Sequence, residues 1–254
     1  MPENGSGFQS RSGAAAPRRP PPAPEPIAHD VLFEDEWLIA VDKRAGMVVH
    51  PTYRNWSGTL LNALLWRVPP GVEPRIVTRL DKDTSGVVLV ALSADVHARV
   101  QRDGTAGSVR KEYLALVRGA PEPRRGSIDA PLARSAADRR RVVVDPAGQA
   151  SRTVYDVVST DGDVALVRCE PITGRTHQIR VHLASRGWPV LGDAVYGEPH
   201  DGLARQALHA WRVTLPHPMT RETLTIQAPV PADLRALVRD GDIPAVPPAA
   251  GDAR

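Results

Sequence analysis

The hydrophobic positions along the chain fall into runs that predict both strands and helices. Residues 87–92 form an unbroken apolar run with three valines, which is typical of a buried β-strand. Residues 110–117 alternate instead, so Tyr113, Ala115 and Val117 are expected to share one face of a second strand.

Apolar residues return with helical spacing in three other segments. Residues 59–67 and 93–102 are expected to form helices, and Ser93 is a suitable N-cap for the second of them. Residues 177–186 predict a third helix that ends at Gly187. This mixture of strands and scattered helices indicates the α+β class, and periodicity alone supports nothing more specific.

The two ends of the chain differ from its middle in composition. Residues 1–28 hold seven of the 25 prolines and lack hydrophobic periodicity, and residues 241–254 are similar. Such segments bury too little apolar surface to fold, so we expect a disordered N-terminal arm and a disordered C-terminal tail. The folded domain is therefore expected to occupy residues 29–240.

Composition limits the classes of protein that remain. With 254 residues, 42% of them hydrophobic, the chain can build a sizeable core, and no apolar stretch approaches the ~20 residues of a membrane span. Cys169 is the only cysteine, so no disulfide can form within the chain. It lies in an apolar segment, residues 164–169, which favours a buried structural thiol and a reducing, cytoplasmic compartment.

Candidate chemistry lies immediately before the unbroken apolar run. In the octet from Arg79 to Gly86, Asp81 sits between Arg79 and Lys82 and leads directly into the predicted buried strand. A carboxylate that neighbouring cations keep ionised at the edge of a core is a candidate nucleophile or base. The alternative is a plain turn, because Asp and Ser side chains readily bond their own backbone.

The octet is one of five motifs that follow each other in a fixed order. The others lie at residues 38–51, at 111–117, at 173–184 with Gly192-Asp193 and Tyr196-Gly197 after it, and at 208–229. Together they resemble the R-L-D-x-x-T-S-G, K-P-A-G…V-H-P, K-x-Y-x-A-x-V and T-G-R-T-H-Q-I-R-x-H motifs of the RluA family of pseudouridine synthases. Two positions depart from the family: Thr78 replaces the usual His, and Arg44 replaces the usual Pro.

The resemblance implies a fold and an activity. The fold would be the pseudouridine synthase catalytic domain, a bent and mostly antiparallel mixed sheet flanked by helices around a central cleft. The activity would be the isomerisation of specific uridines in ribosomal or transfer RNA to pseudouridine, with no cofactor and no metal. RNA is the expected partner, and the protein is expected to be a cytoplasmic monomer that does not bind membranes.

The resemblance also assigns roles to individual residues. Asp81 is the expected catalytic carboxylate, Arg180 the active-site arginine beside it, and Tyr113 the tyrosine that lies against the target base. The expected substrate-binding residues are Arg79, Lys111, Arg175, His177 and Ile179.

Two other functions compete with the isomerase. A non-catalytic RNA-binding or ribosome-assembly factor would use the same fold, but the intact set of Asp81, Tyr113 and Arg180 favours an enzyme. A glycoside hydrolase would use Asp81 and Asp83 as its pair of carboxylates, yet only 4% of the residues are aromatic and available to form a sugar platform.

A metal centre is not expected. His177 and His182 are five positions apart, so they do not share one helical face, and no third ligand is evident. Both histidines are expected to be structural or hydrogen-bonding residues.

Overall fold

The structure is a computed structural model that describes residues 20–53, 55–239 and 241–243. The strands are β1 (Asp30–Glu34), β2 (Leu38–Lys43), β3 (Arg75–Ile76), β4 (Ser85–Ala91), β5 (Arg110–Arg118), β6 (Arg125–Asp129), β7 (Leu132–Arg134), β8 (Val142–Val144), β9 (Arg152–Asp161), β10 (Val164–Pro171), β11 (Leu208–Pro216) and β12 (Thr223–Gln227). The helices are α1 (Leu60–Arg67), α2 (Ala94–Thr105), α3 (Gln178–Ser185) and α4 (Ala232–Arg235).

One large sheet organises the molecule. Its strands follow the order β1-β2-β4-β11-β5-β10-β9-β6, with β3 beside β4 and β12 beside β11, while β7 and β8 form a separate hairpin. Within the described residues, the pairing of β4 with β11 is parallel and the other strand pairings are antiparallel. The predicted α+β class with a mostly antiparallel mixed sheet is therefore confirmed.

Strand β4 lies at the centre of the core, and all seven of its residues are buried. Alternate residues point to opposite faces of the sheet, where Val87, Leu89 and Ala91 pack in the cluster that includes α2. The intervening residues, such as Val88, pack in a second cluster with α1. Because both faces are covered, the strand is apolar from Val87 to Ala91 and shows no alternation there.

The three predicted helices are confirmed, with ends close to those expected from the sequence. Ser93 caps α2 by accepting a hydrogen bond from the Val96 N–H, and Thr59 caps α1 in the same way. Gly187 follows the end of α3 with a φ of 81°, a conformation that favours glycine.

The described parts of the two chain ends correct the predicted boundaries. The Asn62 side chain donates to the Ala23 carbonyl oxygen (2.7 Å), and the Glu25 N–H donates to the Asn62 carbonyl oxygen (3.0 Å). The prediction of an unpacked arm through residue 28 is therefore wrong at residues 23–25, because polar groups at the start of α1 bind this segment. Likewise, Ile243 packs against the main core cluster. Residues 1–19 and 244–254 lie outside the described residues.

Two sequence-based expectations can be compared with the structure: the lack of a membrane span and a buried thiol at Cys169. In the described part of the chain, no helix combines the length and apolarity that a membrane span requires. Cys169 is fully buried, and burial raises the pKa of its thiol to about 12. It is the structural thiol that the sequence predicts, since a protonated and inaccessible sulfur is a poor nucleophile.

Gly86 permits the close approach of β4 to β11, and its replacement tests this arrangement. It has a φ of 111°, and a Cβ atom there would lie 2.1 Å from the Ala210 carbonyl oxygen. We expect Gly86→Ala to lower the free energy of unfolding by about 3 kcal/mol or more, because backbone strain and a backbone clash add together.

Gly46→Ala is the matched control, since Gly46 has a φ of 86° but no atom within 4 Å of its Cβ position. Strain alone should cost about 1–2 kcal/mol there. Urea denaturation of both variants measures the difference, and equal losses would show that the β4–β11 contact is looser than described.

Candidate active site

The loop that carries Asp81 runs between β3 and β4 and is anchored by a buried lysine. Lys43, which is 1% exposed, donates three hydrogen bonds of 2.9 Å to the carbonyl oxygens of Arg44, Met47 and Lys82. The Thr84 N–H closes a turn onto the Asp81 carbonyl oxygen (3.1 Å). These contacts hold the backbone that follows Asp81, and all three hydrogens of the Lys43 ammonium are used.

Arg180 joins two carboxylates that come from different loops. Its Nη1 donates to Asp81 Oδ2 at 2.9 Å, while Nε and Nη2 donate to the two oxygens of Asp193 at 2.7 and 2.8 Å. The Arg180 side chain is 6% exposed and the Asp193 side chain is 0% exposed, whereas Asp81 remains 25% exposed. The guanidinium therefore has one buried partner that positions it and one accessible partner that can meet a substrate.

Asp193 is held as a carboxylate despite complete burial. Burial alone would raise its pKa, but hydrogen bonds and charge from Arg180, with N–H donors from Val195 and Tyr196, hold the pKa below its usual value. For Arg180, burial acts to lower the pKa, yet the two carboxylates raise it above its ordinary value. The arginine is thus a permanent cation beside Asp81.

Tyr113 on β5 lines the same cavities as Asp81. Burial, assisted by the negative charge of Asp81, raises the pKa of its phenol. The hydroxyl is therefore protonated at neutral pH, so it can donate a hydrogen bond or relay a proton but does not act as a free phenolate.

A small cavity of about 70 Å³ lies directly over this group of residues. Its apolar wall includes Ile179, which is 5% exposed, together with Leu80 and Leu208. Beside it lies a wider cavity of about 450 Å³ that Asp81 and Tyr113 also line. Such a site suits a flat ring with a polar edge, since the site offers apolar surfaces and a few convergent polar groups.

Gln178 orders the turn that precedes α3. Its amide oxygen accepts hydrogen bonds from the Thr173 hydroxyl (2.7 Å) and the Arg175 N–H (3.0 Å). Its amide nitrogen donates to the Arg152 carbonyl oxygen (2.9 Å) and to the Thr153 hydroxyl (3.0 Å). With both ends of the amide satisfied, this buried side chain sets the position of the first turn of α3 and hence of Arg180.

Comparison with known proteins shows which family the chain belongs to. The sequence profile of the RNA pseudouridylate synthase family matches residues 37–185, which are more than half of the chain. The chain belongs to this family. A relative from Nitrosomonas europaea, named ribosomal large subunit pseudouridine synthase D, is 44% identical over 227 residues, or 85% of this chain and 66% of that protein.

Further relatives and a solved structure agree with this membership. An uncharacterized RNA pseudouridine synthase of Chloroflexus aurantiacus is 45% identical over 205 residues, or 78% of this chain and 65% of that protein. The chain thus spans slightly less than two thirds of these two relatives. The solved structure of human RNA pseudouridylate synthase domain containing 1 is similar with a TM-score of 0.67 and 29% identity, covering 80% of this chain and 83% of that one.

The residues predicted to bind substrate in this family member surround the opening of the site. Arg79 and Arg175 are exposed, and both line the small cavity as well as the wider one. Lys111 lines the wider cavity, and burial lowers the pKa of its ammonium group. No carboxylate of the described residues lies within ion-pair distance of Arg79 or Lys111, so both charges face the cavity.

His177 and His182 have different surroundings. His177 places Nε2 4.0 Å from Asp81 Oδ2, and burial lowers its pKa although Asp81 opposes this effect. His182 is hydrogen-bonded to the Thr153 hydroxyl (2.8 Å) and the Ala130 carbonyl oxygen (3.0 Å), which is the structural role that the sequence predicts. Among the described residues, no cluster of three metal-ligating side chains occurs.

The two departures from the usual family motifs have local partners. The Thr78 hydroxyl accepts a hydrogen bond from the Leu89 N–H (2.8 Å) and so ties the Asp81 loop to β4. Arg44 is exposed and pairs with Asp30 at 3.1 Å. Neither residue contacts Asp81, so the departures leave the central group of charges intact.

Three residues that the sequence motifs contain, but to which the sequence gives no role, contribute to the site. Lys43 anchors the loop, Asp193 positions Arg180, and Tyr196 contacts His177. The available signal was a charge close to an apolar segment, since Asp193 follows Val190-Leu191 and Lys43 ends the apolar β2. A charge placed there must be buried with a partner, but the pattern does not say which residue that partner is.

Replacement of Arg180 by lysine tests the importance of the forked geometry. Arg180→Lys keeps the positive charge but cannot reach both Asp81 and Asp193 with three fixed N–H groups. We expect kcat/KM for RNA to fall by about 10²-fold or more, as for loss of other preorganised electrostatic contacts.

The matched control is Arg186→Lys, because Arg186 caps the end of α3 and is exposed. It should retain the activity of the unmodified protein. Steady-state kinetics of both variants measure the difference, and an active Arg180→Lys variant would show that a point charge suffices beside Asp81.

Proposed function

We propose that the protein is an RNA pseudouridine synthase that isomerises uridine in structured RNA, with Asp81 as the catalytic carboxylate. The single observation that carries this proposal is the Asp81–Arg180 contact at 2.9 Å, at the edge of a cavity that Tyr113 and Ile179 also line. Family membership supports it, because two relatives at 44% and 45% identity are named pseudouridine synthases.

The isomerisation matches the groups that the site contains. The bond between uracil N1 and ribose C1′ breaks, the base turns, and a bond between C5 and C1′ forms. C5 loses a proton and N1 gains one, so atoms and charge balance with no redox step and no second substrate. A carboxylate near the sugar and a proton-relaying group near the base are sufficient, which are the roles we assign to Asp81 and Tyr113.

Asp81 can act in two ways that the contacts described above allow equally. As a nucleophile, its free oxygen attacks C1′ and forms a transient ester with the sugar. As a base, it takes a proton from the neighbouring ribose carbon. In either case Arg180 orients the carboxylate through its hydrogen bond to Oδ2.

The target base must leave its stack to reach Asp81. An extruded uracil would place its face against the Tyr113 ring and its edge against Ile179. Arg79, Lys111 and Arg175, whose charges surround the opening, would bind the phosphates on either side.

We propose ribosomal or transfer RNA as the substrate, with the name of the Nitrosomonas relative favouring large-subunit ribosomal RNA. A cytoplasmic monomer remains our prediction, since these RNAs are cytoplasmic and one chain supplies the whole set of site residues. The folded domain at residues 29–240 is retained as a prediction, extended by the packed residues at 23–25 and 243.

The two competing functions receive less support. A pure RNA-binding factor would have no use for a buried Arg180–Asp193 pair that aims a second carboxylate, Asp81, into a cavity. A glycoside hydrolase needs two carboxylates facing one site. Asp83 lines neither of the two cavities that contain Asp81, so these two carboxylates do not face one site.

Asp81→Asn tests the proposal most simply. The change is nearly isosteric and removes the charge, so we expect pseudouridine formation to fall by about 10³-fold or more while RNA affinity is retained. Product is measured by nucleoside analysis of digested RNA, and affinity by filter binding.

Asp83→Asn is the matched control, because it removes a charge from the same loop without removing a group from the cavity. It should keep most of the activity. If Asp81→Asn turns over RNA as fast as Asp83→Asn does, Asp81 is not the catalytic carboxylate.

A further inference from the structure

Tyr196 lies where the β7–β8 hairpin, α3 and the Asp193 loop meet. Its hydroxyl oxygen accepts a hydrogen bond from the Val142 N–H (2.8 Å), at the start of β8. The same hydroxyl lies 2.7 Å from Nδ1 of His177. The Val142 N–H uses one acceptor position of the oxygen, and the hydroxyl can direct its own hydrogen to the imidazole nitrogen, which is an acceptor in one of the two neutral tautomers.

A hydrogen bond donated by this hydroxyl would select which nitrogen of His177 carries the proton. A nitrogen that accepts a hydrogen bond has no hydrogen of its own, so Nδ1 is bare and Nε2 is protonated in the neutral ring. Nε2 is the nitrogen that lies 4.0 Å from Asp81 Oδ2. The N–H of His177 thus points toward the catalytic carboxylate.

The backbone and the Tyr196 ring hold the imidazole in this orientation. His177 has a φ of 54°, in the left-handed region that residues other than glycine rarely adopt, and its side chain does not cap α3. The Tyr196 ring packs edge-on to the imidazole, with centroids 5.6 Å apart. The guanidinium of Arg180 lies 5.1 Å from the centroid of the same ring. One tyrosine therefore contacts both residues that face Asp81.

We propose that Tyr196 is a positioning residue whose hydroxyl fixes the Nε2–H tautomer of His177 and so keeps a neutral N–H donor beside Asp81. The inference rests on the proposed function, because it concerns how the same site reacts. Tyr196 itself lines neither cavity that contains Asp81, and its hydroxyl acts through His177.

The charges around His177 make the tautomer important. The titratable and charged groups that face it are Asp81 from the loop before β4, Arg180 on α3, Asp193 after α3, Arg134 on β7 and Tyr196. Burial lowers the pKa of His177 and Asp81 acts to raise it. A hydrogen bond donated to Nδ1 adds to the first effect, because it stabilises the neutral form alone.

Loss of the hydroxyl should therefore raise the pKa of His177. The imidazolium that forms would pair with Asp81 and compete with the sugar for the carboxylate. Because the protonated form is inactive, activity is lost as pH falls through this raised pKa, and it is present above it.

Tyr196→Phe tests the proposal because it removes only the hydroxyl and keeps the ring. We expect the acid limb of the kcat/KM profile to move up by about half to one pH unit, the size of one hydrogen bond to a single protonation state. In a His177→Gln background, the same Tyr196→Phe change should produce no shift. An unchanged profile, or a shift that persists in the Gln background, would overturn the proposal.

A second measurement needs neither activity nor a variant. The ¹⁵N chemical shifts of the histidine rings in the native protein report the tautomer directly, and we expect Nε2–H for His177. His182 serves as the internal reference, because its Nε2 faces the Ala130 carbonyl oxygen at 3.0 Å. An Nδ1–H signal for His177 would refute the inference. Absence of pseudouridine formation with the expected tautomer would instead refute the proposed function.

Discussion

The buried guanidinium of Arg180 is the interaction on which the rest of the site depends. It brings the loop before β4, the first turn of α3 and the loop after α3 to one point, because each supplies a partner or the arginine itself. A buried cation of this kind is stable only with its carboxylates in place, and removal of one partner would leave an uncompensated charge. The same contact therefore holds the local structure together and orients Asp81 at the edge of the cavity.

The strand order of the sheet brings the residues of the site together. Strand β4 pairs in parallel with β11 over only two residue pairs, which places the start of β4 beside β11 and, through it, beside β5. Asp81 precedes β4 and Tyr113 lies on β5, so the short parallel pairing of β4 with β11 brings both residues to the same cavity. Gly86 is required where β4 pairs with β11, because no side chain fits between its Cα and the Ala210 carbonyl group.

Much of this could be predicted from the sequence, for physical reasons. The apolar run at residues 87–92, the cap at Ser93 and the glycine after α3 are local signals, and the elements formed where expected. The buried partner of Arg180, Asp193, was not predictable in this way, since its burial depends on tertiary packing. The packing of residues 23–25 was missed for a similar reason: their composition lacks periodicity, but the polar start of α1 binds their backbone.

The central claim is that the residues of this site break the bond between uracil N1 and ribose C1′ and form one between uracil C5 and C1′. The most direct measurement incubates the protein with unmodified ribosomal and transfer RNA labelled with tritium at uracil C5, in excess EDTA. The account predicts release of tritium into water together with an equal amount of pseudouridine, because C5 gives up its hydrogen when it joins the sugar. Folded protein that binds these RNAs but releases no tritium would contradict it.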